Sequence, residues 1–208
     1  MYNGDTLIKS GLSPLELQQL EPDTTYDLKI SASEFLSESE KVTVPRFNTL
    51  PINHLRKIVA SDFTTVNGAT LTDDGETLKI TSDGTARMQM ITSTARNTVI
   101  TKPLVQGKTY KLVADIKVDD GYVGTPIPLN SFKIILSGNT TEANRLILTA
   151  NPIEISTTEY KKMSGIATIS GDISKVNNYY LIIQLDSSAE RFTGKLRLKN
   201  IQVNEVKE

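Results

Sequence analysis

Short runs in which apolar and polar residues alternate dominate this sequence and constrain its fold more than any other feature. The alternation is clearest in the runs TYKLVADIKV, FKIILS and NYYLIIQL. A period of two residues is that of a β-strand with one buried and one exposed face. Clusters of Gly, Asp and Asn separate the runs and favour turns. The sequence therefore predicts an all-β chain built from sandwich-type sheets.

Two local patterns refine this prediction. In TLTDDGETLKI, strand-like residues flank Asp74 and Gly75, which predicts a hairpin with its turn at that dipeptide. In GKLRLKNIQVNEV, the two leucines and the later Ile and Val would face inward, but the two pairs are out of phase. We therefore expect a β-bulge at Lys199 or Asn200 in the last strand.

Helix-like spacing occurs mainly in PINHLRKIVASDF, residues 51–63, which a proline opens. We interpret residues 52–61 as a linker with a short helix. The linker would join a small module, residues 1–51, to a larger one, residues 62–208. The run PLELQQL, residues 14–20, fits either a turn of helix or a strand.

Composition excludes several classes of function. Lys and Arg number 23 and Asp and Glu 24, so the net charge of −1 gives no reason to expect binding to nucleic acid. Apolar runs are too short to span a membrane, so no membrane insertion is expected. The first ten residues lack the pattern of a secretory signal. The absence of cysteine excludes disulfides, thiolate metal sites and cysteine nucleophiles.

Candidate catalytic groups are few. The single histidine, His54, lies in the predicted linker, where we expect it to be solvated and without triad partners. The acid pairs at 73–74 and 119–120 lie beside glycines. Such pairs could form a glycosidase dyad or a calcium site, but aspartates also stabilise turns through local backbone bonds, and we favour that interpretation. We therefore expect no catalytic residue and no metal site, and we predict that the protein is not an enzyme.

The stretch LEPDTTYDLKISA resembles the E–F corner of a fibronectin type III domain, through Leu20, Pro22, Thr24 and Tyr26. The resemblance implies a tyrosine corner, in which the Tyr26 hydroxyl bonds to upstream backbone. It also implies strands C and C′ in MYNGDTLIKSGLS and strand G in SESEKVTV, with no counterpart of strands A and B. Such a partial fibronectin type III-like sandwich leaves an apolar face and an unpaired edge uncovered. Either the chain is a fragment or a neighbour supplies that surface.

Residues 62–208 are similar to a carbohydrate-binding jelly-roll β-sandwich. The similarity lies in DFTTVNGATLTDDGETLKITSDG, LVQGKTYKLVADIKV, ISTTEYKKMSGIATIS and GKLRLKNIQVNEV. It places Tyr160 where the family commonly has a tryptophan. The closing strand of the family usually has an aspartate tied to a structural calcium. Lys199 stands at that place here, so a calcium ion is not supported and no cofactor is expected.

The two modules together resemble the accessory baseplate proteins of lactococcal siphophages. That resemblance implies a virion protein, made in the host cytoplasm, which docks on other baseplate proteins through its N-terminal module. The jelly roll would then attach to host cell-wall polysaccharide. Two alternatives stay open: an assembly or spacer module without sugar binding, and an ancillary sugar-binding module of a secreted glycoside hydrolase.

Flat aromatic faces and polar side chains are what a saccharide site needs. Tyr122 lies in the loop DDGYVGTP, and Tyr180 shares a strand face with Gln184. Lys133 and Asp115 would join them if their three strands are neighbours. These five residues are the predicted carbohydrate-binding site, and the alternative is an ordinary solvated face.

Other features of the same strands bear on this choice. We expect Tyr110, Tyr160 and Tyr179 to be structural, because they occupy core positions of the alternation. The face would also hold Val113, Ile135 and Ile182, shown by the same alternation, and an apolar cluster of this kind requires cover. The absence of tryptophan favours soluble glycan chains, or a purely structural role, over crystalline polysaccharide.

Overall fold

The computed structural model describes most of the chain, as follows: residues 1–3, 5–12, 14–34, 37–92, 99–119, 131–139, 147–170, 172–176, 178–185 and 191–206, without the side chains of Glu34, Thr65, Asn139, Ile147 and Lys175. The chain divides into two compact units, Met1–Ile52 and Asn53–Glu208.

The first unit consists of short strands. They are β1 (Tyr2–Asn3), β2 (Thr6–Leu7), β3 (Thr25–Tyr26), β4 (Leu28–Ile30), β5 (Ser33–Glu34), β6 (Ser37–Glu38), β7 (Val42–Thr43) and β8 (Phe47–Asn48). Four of them form a sheet in the order β2-β1-β4-β7, while β3 pairs with β8 and β5 with β6. The β1–β2 hairpin therefore lies beside β4, which follows Tyr26.

Apolar side chains of this unit are poorly covered. Among its described residues, Leu28 is the one large hydrophobic side chain that is fully buried. Ile30 on β4 and its partner Val42 on β7 are 41% and 63% exposed. Strand neighbours that pair directly point to the same side of a sheet, so these two side chains form an uncovered apolar edge.

The second unit has longer strands. They are β9 (Phe63–Asn67), β10 (Thr70–Asp73), β11 (Leu78–Asp83), β12 (Gln89–Thr92), β13 (Thr109–Val118), β14 (Phe132–Asn139), β15 (Ile147–Pro152), β16 (Lys161–Thr168), β17 (Asn178–Leu185) and β18 (Thr193–Glu205). Hydrogen bonds connect them in the order β10-β11-β18-β13-β16-β15-β14-β17-β12-β9. The chain is all-β, as the alternation predicts.

The ten strands curl into a sandwich with one core. Strand β13 alternates buried and half-buried residues over its whole length, and β17 does the same. The buried residues of the two halves meet in a single hydrophobic cluster, which includes Ile80, Leu112, Ile116, Leu196 and Leu198 from one half and Met90, Ile134, Leu136, Leu181 and Ile183 from the other. Each half therefore presents its other face outward, and any binding surface on a strand must be built there.

Strand β15 joins the two halves. Its middle pairs with β14, Ala150 opposite Ile134, and its end pairs with β16, Asn151 opposite Ser164. At the crossing, a Cβ added to Gly165 would lie 1.6 Å from the carbonyl oxygen of Thr149. Only glycine lets the two backbones approach this closely.

The predicted hairpin and bulge are confirmed. β10 and β11 pair around the Asp74–Gly75 turn, and Gly75 has a positive φ of 88°. Along the β13–β18 pair the register shifts between Val113 and Asp115. Opposite this shift Asn200 has a φ of 52°, a value that asparagine tolerates better than most residues.

The predicted helix within residues 51–63 is wrong. The stretch is extended: Asn53 bridges to Asn204 and Leu55 to Ile100, and a single 3-10 turn follows at Ala60–Asp62. Leu55 is 4% exposed, so the apolar residues pack into the second unit instead of forming a helical face. Tertiary pairing outweighs weak helix propensity here.

Candidate functional site

The outward face of β15, β14, β17, β12 and β9 carries the candidate site, which we call the β14–β17 face. Its residues are Asn67, Gln89, Ile91, Lys133, Ile135, Ser137, Thr149, Asn151, Tyr180, Ile182 and Gln184. Directly paired residues on neighbouring strands point to the same side. The registers therefore sort these residues into rows that run across the strands.

A polar row crosses four strands. Lys133 pairs with Gln184, Gln184 with Gln89, and Gln89 with Asn67. The Gln89 Nε2 donates to the Gln184 Oε1 at 2.7 Å. This bond fixes both amides and leaves an NH2 on Gln184 and a carbonyl oxygen on Gln89 for other partners. Three strand spacings of about 4.8 Å make the row about 14 Å long, a series of donors and acceptors suited to hydroxyl groups.

An apolar row lies beside the polar one. Ile135 pairs with Ile182, and Ile182 pairs with Ile91. All three are half-buried although they face outward. Three branched side chains on adjacent strands form a strip of apolar surface that a C–H-rich ligand could cover.

Tyr180 marks the third row. It pairs with Ser137 on β14, whose hydroxyl donates to the Tyr180 hydroxyl at 3.3 Å. Tyr180 is half-buried and faces outward, next to the apolar row. The face therefore combines an aromatic ring, an apolar strip and a polar row at three successive outward positions of β17, namely 180, 182 and 184.

The structure brings together three of the five predicted site residues. Tyr180, Gln184 and Lys133 share the β14–β17 face. The prediction that Asp115 joins them is wrong, because β13 is separated from β14 by β16 and β15. Asp115 instead accepts a hydrogen bond from the Asn200 Nδ2 at 2.6 Å, on the outward face of the other half. Tyr122 lies outside the described residues.

Val113 is displaced from the face for the same reason as Asp115: it lies on β13. Gln89, Ile91 and Asn67 were missed by sequence reasoning. They come from β12 and β9, short strands of four and five residues. The signal was the alternation in QMIT, which extends over too few residues to stand out.

Two of the three tyrosines expected to be structural are buried. Tyr110 is 0% exposed and its hydroxyl accepts a hydrogen bond from the Val105 backbone N–H at 2.9 Å. Burial raises the pKa of Tyr110. Burial also raises the pKa of Tyr179, which is 9% exposed, to about 12. Both rings belong to the core and not to a surface site.

The expectation that Tyr160 lies in the core is wrong. Tyr160 is half-buried and lines a surface cleft, and the Lys199 Nζ lies 4.1 Å from the centre of its ring. The residue precedes β16 instead of lying within it, so strand alternation does not control its direction. An ammonium group at the Lys199 position does not fit a Ca²⁺ site, which is built from six to eight oxygen ligands.

His54 is not solvated, contrary to the prediction. It is 7% exposed, its Nδ1 lies 3.1 Å from the Lys102 carbonyl oxygen, and its ring meets Tyr110 edge-on at 5.2 Å. The backbone explains the burial, because the His54 N–H donates to the Val203 carbonyl at 2.8 Å and draws residue 54 against β18.

The acid pairs have structural contacts. Asp73 accepts from the Gly75 N–H at 3.2 Å, and Asp74 accepts from the Thr77 N–H at 2.9 Å, as turn-forming aspartates do. Asp119 forms a two-point ion pair with Arg197. The partner of Asp119 in the second pair, residue 120, lies outside the described residues.

The predicted tyrosine-corner residues lie around a turn that leads into β3, Thr25–Tyr26, in the first unit. The Tyr26 hydroxyl accepts from the Glu21 N–H at 2.9 Å, and the Thr24 hydroxyl donates to the Pro22 carbonyl at 3.0 Å. Tyr26 also stacks on Phe47, with ring centres 5.7 Å apart. Leu20 is half-buried at the start of the segment. These contacts hold the corner together and leave Tyr26 a structural role.

The described residues offer neither a metal-binding cluster nor a membrane-spanning helix. No group of three or more His, Cys, Asp or Glu side chains in that part of the chain converges on a point where a metal ion could sit. Nor does the described part contain a helix with the length and apolar character of a membrane span.

No protein-family model and no curated protein matches this sequence. Solved structures with similar folds include carbohydrate-binding modules. The N-terminal CBM22-1–GH10 modules of Clostridium thermocellum endo-1,4-β-D-xylanase 10B, solved with xylohexaose, align over 76% of this chain and 28% of that chain. Identity is 14% and the TM-score 0.46. The chain thus spans less than a third of that xylanase fragment.

Two further structures are single modules. The CBM22-2 xylan-binding domain of Paenibacillus barcinonensis Xyn10C aligns over 70% of this chain and 92% of that chain, with 12% identity and a TM-score of 0.45. The N-terminal cellulose-binding domain of Cellulomonas fimi β-1,4-glucanase C aligns over 73% of this chain and 99% of that chain. Identity is 12% and the TM-score 0.42.

Proposed function

We propose that the chain is a non-catalytic saccharide-binding protein and that the β14–β17 face of its second unit holds the glycan. The observation that carries the proposal is the pairing of two rows on one sheet face. The fixed amides of Gln89 and Gln184 offer a donor and an acceptor to sugar hydroxyls, and the Ile91–Ile182–Ile135 strip offers apolar surface to ring C–H groups. Tyr180 adds an aromatic ring in the next row, beside the strip.

The face is pre-organised on strands, which favours binding. Lys133, Gln184 and Gln89 lie on three paired strands, so their spacing does not depend on a loop. Each neutral hydrogen bond adds about 0.5–1.5 kcal/mol, so affinity per site is low and copies on one particle would add avidity.

The test is calorimetric titration of neutral oligosaccharides, such as xylohexaose and cellohexaose, and of host wall polysaccharide. Gln184→Ala removes an amide that serves up to two hydrogen bonds, so we expect binding to weaken about tenfold. Gln106→Ala makes the same chemical change at an exposed loop position and should leave binding unchanged. Equal affinities for the two variants and the parent chain would reject the β14–β17 face as the site.

We further propose a biological setting for this binding. The chain would be a virion protein of a phage baseplate, made in the host cytoplasm, whose first unit docks on other baseplate proteins. The support for this setting is the resemblance of LEPDTTYDLKISA followed by a jelly roll to lactococcal siphophage accessory baseplate proteins. The uncovered Ile30–Val42 edge is a surface that such a neighbour could cover.

Labelled antibody against the chain, imaged on intact virions, tests that setting. Label at the tail tip is expected, and a gene neighbourhood of secreted hydrolases without tail genes would contradict it. The spacer alternative makes a different prediction. A multivalent form with an intact fold would bind no glycan on an array of host saccharides.

A further inference from the structure

The outward face of the other half of the sandwich carries a cleft of about 360 Å³ lined by Lys117, Asp119, Tyr160 and Arg197. We call it the basic cleft. Lys117 on β13 and Arg197 on β18 pair directly, and Lys79 on the neighbouring β11 pairs with Arg197. Three cationic side chains therefore stand side by side on three adjacent strands.

Two acids compensate part of this charge. Asp74 forms an ion pair with Lys79 at 2.9 Å, and Asp119 binds Arg197 through two of its nitrogens. Lys199, two residues along β18 from Arg197, adds a fourth cation with its Nζ over the Tyr160 ring. Four cations and two acids leave a local surplus of two positive charges, in a chain whose net charge is −1.

The neighbouring row of residues on the same face, which contains Asp115, does not remove this surplus of positive charge. Asp115 lies between Lys162 on β16 and Lys199 on β18, so it adds one acid and one further lysine. Like charges on directly opposed strand positions destabilise a sheet. Asp119 compensates Arg197, but within the described part of the chain Lys117 has no ion-pair partner, which an anionic ligand would supply.

We propose that the basic cleft is a second binding site, which takes an oxyanion group, a carboxylate or a phosphate, carried on an acidic saccharide. Lys117 and Lys199 supply ammonium donors. Arg197 has five N–H donors and Asp119 occupies two of them, so up to three can serve the oxyanion in the planar geometry that such groups favour. Tyr160 forms the wall against which the sugar ring rests.

This site goes beyond the β14–β17 face and does not depend on it, because the two lie on the outward faces of opposite halves of the sandwich. One saccharide chain, or two, could therefore be held at both. Binding of a charged sugar at the basic cleft depends on charge, whereas a neutral glycan on the β14–β17 face makes no ion pair, even with Lys133 in the polar row. Salt separates the two contributions, because it screens exposed charges.

The experiment titrates the full chain, labelled with ¹⁵N, with matched probes. Trigalacturonate is compared with its methyl ester, and glucose 6-phosphate with glucose and with inorganic phosphate. We expect the charged sugars to bind more tightly than the neutral ones and to shift the amide signals of Lys117 and Arg197. Affinity should fall between about 20 mM and about 200 mM NaCl, where the Debye length shortens severalfold.

Lys117→Gln is expected to weaken binding of the charged sugars about threefold to fivefold, because it removes one partly exposed ion pair. At about 1.4 kcal/mol per tenfold, this loss corresponds to roughly 0.6–1 kcal/mol. Because the same change removes repulsion from Arg197, its melting temperature should stay equal or rise. Lys102→Gln, an exposed loop change of the same charge, is the matched control and should alter neither.

The outcomes separate the sources and the sites. A preference for trigalacturonate or for glucose 6-phosphate identifies carboxylate or phosphate as the ligand group. Equal binding of inorganic phosphate and glucose 6-phosphate overturns the saccharide assignment. The site itself is rejected if charged and neutral probes bind alike, if Lys117→Gln matches Lys102→Gln, or if no charged probe saturates. Loss of neutral-glycan binding in Gln184→Ala reports on the β14–β17 face alone.

Discussion

Replacing Tyr110 with phenylalanine should destabilise the second unit by about 1–2 kcal/mol. The substitution keeps the buried ring and its edge contact with His54, and removes the hydroxyl that accepts from the Val105 N–H at 2.9 Å. A net hydrogen bond is worth about 0.5–1.5 kcal/mol, and a donor left without a partner costs about 1–3 kcal/mol. The Val105 amide is partly buried, so we expect a loss of about 1–2 kcal/mol, above that of an average net hydrogen bond and below the full cost of a buried donor without a partner.

The first unit supplies a matched comparison. The Tyr26 hydroxyl accepts from the Glu21 N–H at the same separation of five residues and the same 2.9 Å, but at an exposed position. Water can replace that acceptor, and the stacking of the Tyr26 ring on Phe47 survives the substitution. We expect Tyr26→Phe to cost less than about 0.5 kcal/mol.

Thermal unfolding and amide hydrogen exchange measure both variants. A loss of about 1–2 kcal/mol lowers the melting temperature of a unit this size by about 2–8 °C. In Tyr110→Phe the Val105 amide should also exchange faster, while the remaining core amides keep their order of protection. The reasoning is refuted if Tyr110→Phe leaves both quantities unchanged, or if Tyr26→Phe costs as much as Tyr110→Phe.

Two further predictions concern alkaline pH and the strand crossing. Burial raises the pKa of Tyr179 to about 12, so the folded state favours the neutral phenol. This preference contributes roughly 2–3 kcal/mol to the free energy of unfolding. The contribution is complete below pH ~10 and is lost as the pH rises towards ~12. Tyr179→Phe should flatten the fall in stability measured by urea unfolding across that window, and an unchanged slope would contradict the assignment. Gly165→Ala places a methyl group 1.6 Å from the Thr149 carbonyl oxygen and should cost more than about 3 kcal/mol, whereas Ser164→Ala next to it should cost less than about 0.5 kcal/mol. A melting temperature near that of the parent chain for Gly165→Ala would show that β15 can move aside.

The sequence alone predicts which face of a strand is buried, and does so well. The alternation in NYYLIIQL assigned Tyr179 to the core and Tyr180 and Gln184 to the surface, and all three lie there. The turn at Asp74–Gly75 was predictable because its chemistry is local. In each case the information lies within a few residues of the position it controls.

Which strands lie next to one another could not be predicted from the sequence. Asp115 and Lys133 both occupy outward positions of long alternating strands, yet only Lys133 lies beside Gln184. Which strands pair depends on the path of β15 between the two halves, and the Gly165 contact that permits this path joins residues on two different strands, 16 positions apart. Period-two alternation within one strand carries no information about contacts between strands. The sequence therefore placed Asp115 in the wrong half of the sandwich.

Net charge also fails to predict where charged side chains lie, but the spacing of the charges along a strand can supply that information. The net charge of −1 gave no sign of a basic surface, because a sum over the chain discards position. The spacing of charges along a strand keeps the positional information. In KLRLK the basic residues Lys195, Arg197 and Lys199 recur every second position, so one face of this strand carries only cations while the other carries leucines. The same alternation that identifies the core therefore locates the basic cleft. A period-two count of charge, applied strand by strand, would have indicated an anion-binding face where the total indicated none.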